Sequence, residues 1–267
     1  MRSASQRSPS RLGSPRNGGQ ECPRNGGSGD LRYNRRGRLG WICGVMILMG
    51  AWVGTWAADP AVTPVADPQP LLQQLQRTMA SLESVQFDFV QERHLQLFEE
   101  PLRSEGAMLI ARPDQIRWEV TSPYQSILLG NSRTVAQFEK TDQEWKKLKV
   151  GFPGQLRQVM NQMVLMHRGD MEALNRDFTI SLATGEVARV TLVPRDESIQ
   201  SFLASIEVQM ALDFSVTREV LMREPGGDAT RIVFRREQRD VKFPDGTFDQ
   251  ARPLDLAVIR EAVEKGR

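Results

Sequence analysis

Histidine is the side chain that most often performs acid–base catalysis at neutral pH, and this chain of 267 residues has two, His94 and His167. They are far apart and lie among polar residues, so we expect both to be exposed and neither to do chemistry. The adjacent carboxylates Glu99 and Glu100 precede Pro101, which indicates a solvated turn rather than an acid–base pair. The sequence contains no nucleophile elbow, phosphate-binding loop, dinucleotide-binding motif or zinc-protease motif. We therefore expect the protein not to be an enzyme.

The two cysteines, Cys22 and Cys43, both precede residue 59. The rest of the chain has no thiol, which excludes disulfides, thiolate metal sites and cysteine nucleophiles there. We predict no cofactor and no metal site. A domain of about 200 residues is large enough to be held together by its core alone.

The chain begins with two segments that do not resemble a folded domain. Residues 1–38 are rich in Gly, Ser, Pro, Asn and Arg, and we interpret them as a disordered basic leader or as sequence upstream of the true start codon. Residues 39–58 form an uncharged apolar run after a basic cluster, which is the order of a signal peptide. We expect cleavage after Ala57 or Ala58 and export to the periplasm. The alternative is an uncleaved anchor, because about 20 residues can span a bilayer.

The charges are divided unevenly along the chain. Residues 1–45 contain nine arginines and two acidic residues, which leaves 26 of the 35 basic and 31 of the 33 acidic residues for the remainder. The later part of the chain is therefore mildly acidic. An acidic domain gives no support for nucleic-acid binding, and we expect no nucleic-acid partner.

Apolar spacing predicts a helix and then a mainly β domain. After a linker at residues 59–69, apolar residues recur at helical intervals over residues 70–82. Beyond it, apolar and polar residues alternate in short stretches, for example Phe87 and Phe89 on either side of Asp88. Short strands joined by turns, with few helices between them, predict an antiparallel sheet that curls toward a barrel.

One predicted helix, at residues 154–168, interrupts the strands. Its apolar face includes Met160 and Met163. Methionine is flexible and polarizable, so this face suits a lid over one mouth of the curled sheet, where it would repack against cargo of variable shape. The alternative is that the methionines are ordinary core residues.

Four consecutive segments of the β region together form one pattern of alternating strands and turns: residues 84–91, 105–113, 116–123 and 126–131. In this pattern, Arg112-Pro113 lies at a turn and Trp118 lies on the strand that follows it. This pattern resembles the LolA family of periplasmic lipoprotein carriers, over residues 70–250 and most specifically near 105–130. The chain departs from the family at Ala111, where the family usually has a basic residue. That departure, and the C-terminal tail at residues 251–267, which we expect to be helical if it is ordered, leave the identity of the cargo open.

The resemblance implies a half-open antiparallel β-barrel of about eleven strands, covered by an N-terminal helix and a lid helix. It implies a monomeric carrier that shelters the acyl chains of a lipoprotein or another lipid, receives it from an inner-membrane donor complex and delivers it to an outer-membrane acceptor. Exposing acyl chains to water costs about 0.8 kcal/mol per CH₂, so transit across an aqueous compartment requires a concave apolar shelter.

The expected lipid-binding side chains are apolar residues of the strands and of the lid: Phe87, Phe89, Met108, Ile110, Ile116, Trp118, Ile127, Leu129, Met160 and Met163. Arg112 matches the family's arginine that donates hydrogen bonds to the lid backbone and holds the empty carrier closed. We therefore expect Arg112 to be a latch that binds carbonyl groups at an end of helix 154–168. The alternative is an ordinary turn arginine.

Two other functions remain open from the sequence. The first is a regulatory module that senses lipids or lipoproteins in the periplasm, because carrier-like domains also serve as stress sensors. The second is a carrier of a different amphiphile, such as a glycolipid or a polyene-type lipid.

Overall fold

A computed structural model describes residues 60–150 and 153–266. The predicted leader, the apolar segment with its cleavage site at Ala57 or Ala58, and both cysteines lie outside the described residues. Within the described ranges, no helix is both long and apolar enough to cross a membrane.

The described chain is mostly β. The strands are β1 (Val62–Pro64), β2 (Ser84–His94), β3 (Leu102–Ala111), β4 (Gln115–Ser122), β5 (Ser126–Gly130), β6 (Val135–Thr141), β7 (Glu144–Leu148), β8 (Phe178–Gly185), β9 (Ala188–Pro194), β10 (Ser205–Met210), β11 (Thr217–Arg223) and β12 (Ala229–Arg239). The helices are α1 (Gln69–Ala80), α2 (Pro153–Arg168), α3 (Met171–Asp177), α4 (Glu197–Gln200) and α5 (Leu256–Lys265).

All twelve strands form one antiparallel sheet, in the order β1-β8-β9-β10-β11-β12-β2-β3-β4-β5-β6-β7. In the part of the chain that the structure describes, β1 and β7 lie at the two edges and are not paired with each other, so the sheet is open. The predicted mainly β, antiparallel and half-open architecture is confirmed, with twelve strands rather than about eleven. The additional strand, β1, lies in the predicted linker and pairs with β8, where Val62 is opposite Gly185.

Helices α1, α2 and α3 cover one face of the sheet, which we call the helix-covered face. Leu75 and Met79 of α1, Leu165 of α2 and Leu174 of α3 are buried there together with sheet residues such as Val190. The apolar stripes that predicted the first two helices are the surfaces that pack on the sheet. The predicted bounds, 70–82 and 154–168, agree with the observed bounds to within two residues.

A tight turn holds the helices together. Gly169 follows α2 with a φ of +66°, a left-handed conformation that glycine adopts without strain. A Cβ at this position would lie 2.5 Å from the carbonyl oxygen of Gln76 in α1. Asp170 then begins α3, because its side chain accepts a hydrogen bond of 3.0 Å from the Ala173 amide. The turn thus fixes both the end of α2 and its distance from α1.

The C-terminal segment covers the opposite face of the sheet, which we call the tail-covered face. Ala107 and Leu109 of β3 pack there against Leu256, Ile259 and Val263 of α5. Sheet residues that alternate away from the helices are therefore also buried. This explains why several strands are apolar on both faces.

A buried arginine fixes this segment to the sheet. Arg117 has no exposed side-chain surface, and its Nε and Nη2 donate to Glu119 over 2.9 and 2.6 Å. Its Nη1 donates to the carbonyl oxygen of Thr247 at 2.9 Å, and Nη2 also donates to that of Leu254 at 2.5 Å. Burial raises the pKa of Glu119. The carboxylate and two carbonyl groups satisfy a cation that could not otherwise be buried.

Candidate functional site

An apolar cavity of about 110 Å³ lies between the helix-covered face of the sheet, the end of α1, and α2. Strands β2, β3, β9, β10, β11 and β12 form its floor. Its lining residues are Met79, Leu82, Val85, Phe87, Met108, Ile110, Gln162, Met163, Met166, His167, Leu192, Ile206, Val208, Met210, Thr217, Val220, Met222, Ile232, Phe234, Glu237 and Arg239.

Methionines make the wall of this cavity adaptable. Six of the eleven methionines of the chain line it, namely Met79, Met108, Met163, Met166, Met210 and Met222. They come from both helices and from three strands, so flexible side chains surround the space on several sides. A wall of this composition can change shape without large rearrangement of the backbone.

Four of the predicted lipid-binding residues line the cavity: Phe87, Met108, Ile110 and Met163. Four more, Phe89, Ile116, Trp118 and Met160, belong to the same apolar cluster on the helix-covered face without lining the cavity. Phe89 stacks on Trp118 with 4.3 Å between the ring centroids. These four form the supporting layer beside the site.

Ile127 and Leu129 are placed differently from the prediction. In β5, it is Leu128 that lies opposite Trp118, whereas Ile127 lies opposite Glu119 and Leu129 opposite Arg117. Because neighbouring strand residues point to opposite faces, Ile127 and Leu129 belong to the tail-covered face, where both are fully buried with Phe138. The prediction that they line the cavity is wrong.

Much of the lining comes from strands that were not assigned to the site from the sequence. Ile206, Val208 and Met210 alternate along β10, and Val220 and Met222 alternate along β11. The alternation was detectable, but it does not show which strands stand next to β2 and β3 in the sheet. The pairing of β12 with β2 brings both strands to the same cavity.

Two polar side chains of α2 are buried in the cavity wall. Gln162 and His167 are 7% and 6% exposed, so the expectation that His167 is exposed is wrong. Burial, together with the nearby guanidinium groups of Arg112 and Arg239, lowers the pKa of His167 to about 4, against the opposite effect of the Asp240 carboxylate. His167 is therefore neutral at pH 7. Leu165 and Met166 precede it in the sequence, and its neighbours in space are the helices and strands around the cavity.

The charged residues of the lining are satisfied by one another. Glu237 accepts a hydrogen bond of 2.6 Å from Arg239 Nε through Oε1, and one of 3.3 Å from the Thr217 amide through Oε2. Such a closed pair leaves the rest of the wall free to be apolar. None of the described Asp, Glu, His and Cys side chains form a group that could hold a metal ion.

Arg112 binds the first helix rather than the second. Its Nε donates to the carbonyl oxygen of Leu82 at 2.7 Å, and its Nη2 donates to those of Ala80 at 2.9 Å and Met79 at 3.4 Å. Met79 and Ala80 belong to the last turn of α1, where helix carbonyl groups need partners from outside the helix, and Leu82 follows two residues later. The Met79 carbonyl oxygen also accepts from the Leu82 amide at 3.2 Å. The predicted bonds to the ends of helix 154–168 are therefore corrected to α1. Arg112 still lies near α2, since its charge acts on His167.

The chain matches a family model whose description is "Outer membrane lipoprotein carrier protein LolA", over residues 80–251. It is similar to the outer-membrane lipoprotein carrier protein of Chromobacterium violaceum, with 24% identity over 158 residues, covering 58% of this chain and 72% of that protein. The protein of the same description from Dechloromonas aromatica is 25% identical over 162 residues, and the match covers 60% of this chain and 74% of that protein. Among solved structures, the match to a LolA superfamily protein from Nitrosomonas europaea covers 70% of this chain and 99% of that protein's chain, at 11% identity and a TM-score of 0.39.

Proposed function

Because this chain belongs to the LolA family of outer membrane lipoprotein carrier proteins, we propose that it carries a lipoprotein by sheltering its acyl chains in the apolar cavity between the sheet and α2. Proteins of this family are carriers, and this role requires no catalytic group in the cavity.

The observation that carries the proposal is the composition of the cavity wall. Most lining residues are aliphatic, aromatic or methionine side chains, and the Glu237–Arg239 pair closes on itself. Each CH₂ group that enters such a space from water gains about 0.8 kcal/mol. A wall of this kind favours acyl chains and offers no compensation for an isolated charge.

The size of the cavity indicates a closed conformation. Ligand sites usually enclose roughly 300–1,000 Å³, whereas this cavity has about 110 Å³. Cargo therefore has to move α1, α2 or both away from the sheet. The cost of this opening limits the affinity, which suits a carrier that must later release its cargo.

The proposed place of action is the periplasm, between an inner-membrane donor complex and an outer-membrane acceptor. The basic, apolar and small residues of positions 35–58 support export by a signal peptide. N-terminal sequencing of periplasmic material should find a chain that begins between residues 58 and 61. Residues 39–58 retained in the membrane fraction would instead show an anchor.

Mass spectrometry of lipid that copurifies with the periplasmic protein tests the cargo. Wild type and the exposed control Val193→Glu should retain lipoprotein. Val220→Glu, which places a carboxylate in the cavity wall, should lose it while circular dichroism shows the fold intact. A delipidated wild-type protein that also fails to bind added lipopeptide would contradict the proposal, and a copurified glycolipid would change the class of cargo.

A further inference from the structure

The hairpin that joins β2 and β3 extends beyond the neighbouring strand β4. Pairing between β3 and β4 ends where Glu105 lies opposite Ser122, whereas β3 itself begins at Leu102, opposite Arg93 of β2. Residues 95–101, which we call the hairpin tip, therefore stand out from this end of the sheet.

The side chains at the hairpin tip are apolar although they face solvent. Leu97 is 85% exposed and Phe98 is 43% exposed, and Leu102 and Tyr124 are further exposed apolar residues at the same end of the sheet. Turns are usually built from Gly, Pro, Asn, Asp and Ser, as in the adjacent hairpin between β11 and β12, whose tip is Pro225-Gly226-Gly227-Asp228. A turn alone does not require leucine and phenylalanine, so these residues indicate an interaction surface.

The hairpin tip is held in one conformation. The Phe98 amide donates to the carbonyl oxygen of Leu95 at 2.9 Å, which closes a turn with Leu97 at its corner. The Gln96 amide donates to Oδ1 of Asp228 at 2.9 Å, so the adjacent hairpin supports the tip from the side. A tip that is already ordered loses little conformational entropy when it binds.

The hairpin tip is also acidic. It contains the exposed pair Glu99-Glu100 and no basic residue. The two arginines that flank it are paired with carboxylates, Arg93 with Glu224 at 3.2 Å and Arg103 with Glu105 at 2.9 Å. The apolar tip is therefore presented beside negative charge.

This charge distinguishes between two kinds of surface that an apolar tip could enter. Protein segments that bind lipid surfaces combine apolar residues with Lys and Arg, because anionic lipids attract positive charge and repel carboxylates. A protein surface can instead place basic side chains around an apolar pocket, where they would attract Glu99 and Glu100. The contact area of one hairpin tip is small, which is typical of transient complexes.

We infer that the hairpin tip docks the protein on a partner protein, with Leu97 and Phe98 in an apolar pocket that basic side chains border. This inference goes beyond the proposed function, since it concerns a surface at the end of the sheet and not the cavity. Leucine and phenylalanine supply most of the affinity, and the two glutamates accelerate association and make the binding dependent on salt.

Cosedimentation of the periplasmic protein with two matched preparations tests the inference. The first is sonicated envelope membranes of the source cells, which expose both faces, and the second is protein-free liposomes of the lipids extracted from them. Wild type should bind the membranes and not the liposomes, and trypsin treatment of the membranes before mixing should abolish binding. Leu97→Gln should bind at least about tenfold more weakly, as expected for the central residue of a small interface.

Two further variants separate the apolar and the charged contributions. The double variant Glu99→Gln, Glu100→Gln should bind roughly threefold more weakly than wild type at low salt and should lose most of the salt dependence. Leu212→Gln is the matched control, because Leu212 is a 52% exposed leucine in the turn between β10 and β11, and it should bind like wild type. Because Leu97 is so exposed, its replacement should leave the circular dichroism spectrum and lipopeptide binding unchanged.

The outcomes separate this inference from the proposed function. Equal binding of wild type and Leu97→Gln to the membranes, or no binding by wild type, would overturn the inference. Binding to liposomes, or to trypsin-treated membranes, as tight as to untreated membranes would overturn it in favour of a lipid surface. Calorimetry with lipopeptide on the same proteins reports on the cavity alone, so failure of the proposed function would appear there and not in cosedimentation.

Discussion

Arg112 and Leu82 are joined just beyond the C-terminal end of α1 by a hydrogen bond of 2.7 Å from the arginine Nε to the leucine carbonyl oxygen. Leu82 is itself a lining residue, as is Met79, whose carbonyl group accepts from the same guanidinium. Arg112 therefore holds the end of α1 against the cavity and, with it, part of the cavity wall.

Replacing Arg112 by leucine should free this end of α1. The unfolding free energy should fall by roughly 2 kcal/mol, because the bonds from a charged donor to backbone carbonyl groups are lost. The same change weakens the closed, empty state, which competes with bound cargo. The variant should therefore bind lipopeptide at least as tightly as wild type and pass it more slowly to acceptor vesicles. Denaturant unfolding and a transfer assay measure the two effects. Arg77→Leu, an exposed arginine of the same helix, should change neither, and normal transfer by Arg112→Leu would show that Arg112 is only structural.

The pair Arg117 and Glu119 should be far more sensitive than a similar exposed pair. Arg117→Met leaves the Glu119 carboxylate buried without a partner, which costs roughly 3–5 kcal/mol. It also removes the bonds to Thr247 and Leu254, so proteases should cleave near those residues more rapidly. Replacing both residues by apolar side chains should recover much of the stability lost by the single variant.

Arg103 and Glu105 provide the matched control for this prediction. They have the same spacing on the adjacent strand and a contact of 2.9 Å, but both are more than half exposed. Arg103→Met should change the unfolding free energy by less than about 1 kcal/mol. Equal losses from Arg103→Met and Arg117→Met would mean that the tail is held by apolar packing alone.

The sequence predicted the class of the fold and the composition of the site, because both follow from alternation and helical spacing. It did not predict which face of the sheet each side chain of β5 points to. Ile127, Leu128 and Leu129 are consecutive apolar residues, and alternation cannot orient such a run. Arg117 and Glu119 are the polar residues of an alternating stretch, and alternation does not show that the distant segment around Thr247 and Leu254 packs on them and buries them.

Trp118 should report cargo binding even though it does not line the cavity. Its ring stacks on Phe89, and both belong to the cluster that contains the lining residue Phe87. Movement of the wall on binding a lipopeptide should therefore change the emission of Trp118. Subtraction of the Trp118→Phe titration from that of wild type isolates the signal, and Trp145→Phe should leave it intact. Saturable binding by calorimetry without any Trp118-dependent change would show that this part of the wall is rigid.

The buried His167 should make the protein less stable as the pH falls. Its pKa is about 4 in the folded protein and 6.5 when it is unperturbed, so the unfolded chain binds the extra proton between these values. The stability that depends on neutral His167 is present above pH 6.5 and is lost progressively toward pH 4, by about 3 kcal/mol in total. Arg112, Arg239 and Asp240 are the charged groups that act on the imidazole.

Unfolding of wild type and His167→Gln by denaturant at several pH values between 4 and 7 measures this loss. Titration of the carboxylates affects both proteins and cancels in the difference, so the variant should gain about 3 kcal/mol relative to wild type as the pH falls. His94→Gln is the control for removal of a histidine elsewhere, and it should leave most of the wild-type pH dependence in place. Parallel curves for wild type and His167→Gln would mean that His167 is protonated without cost, and that it is reached by water from the cavity.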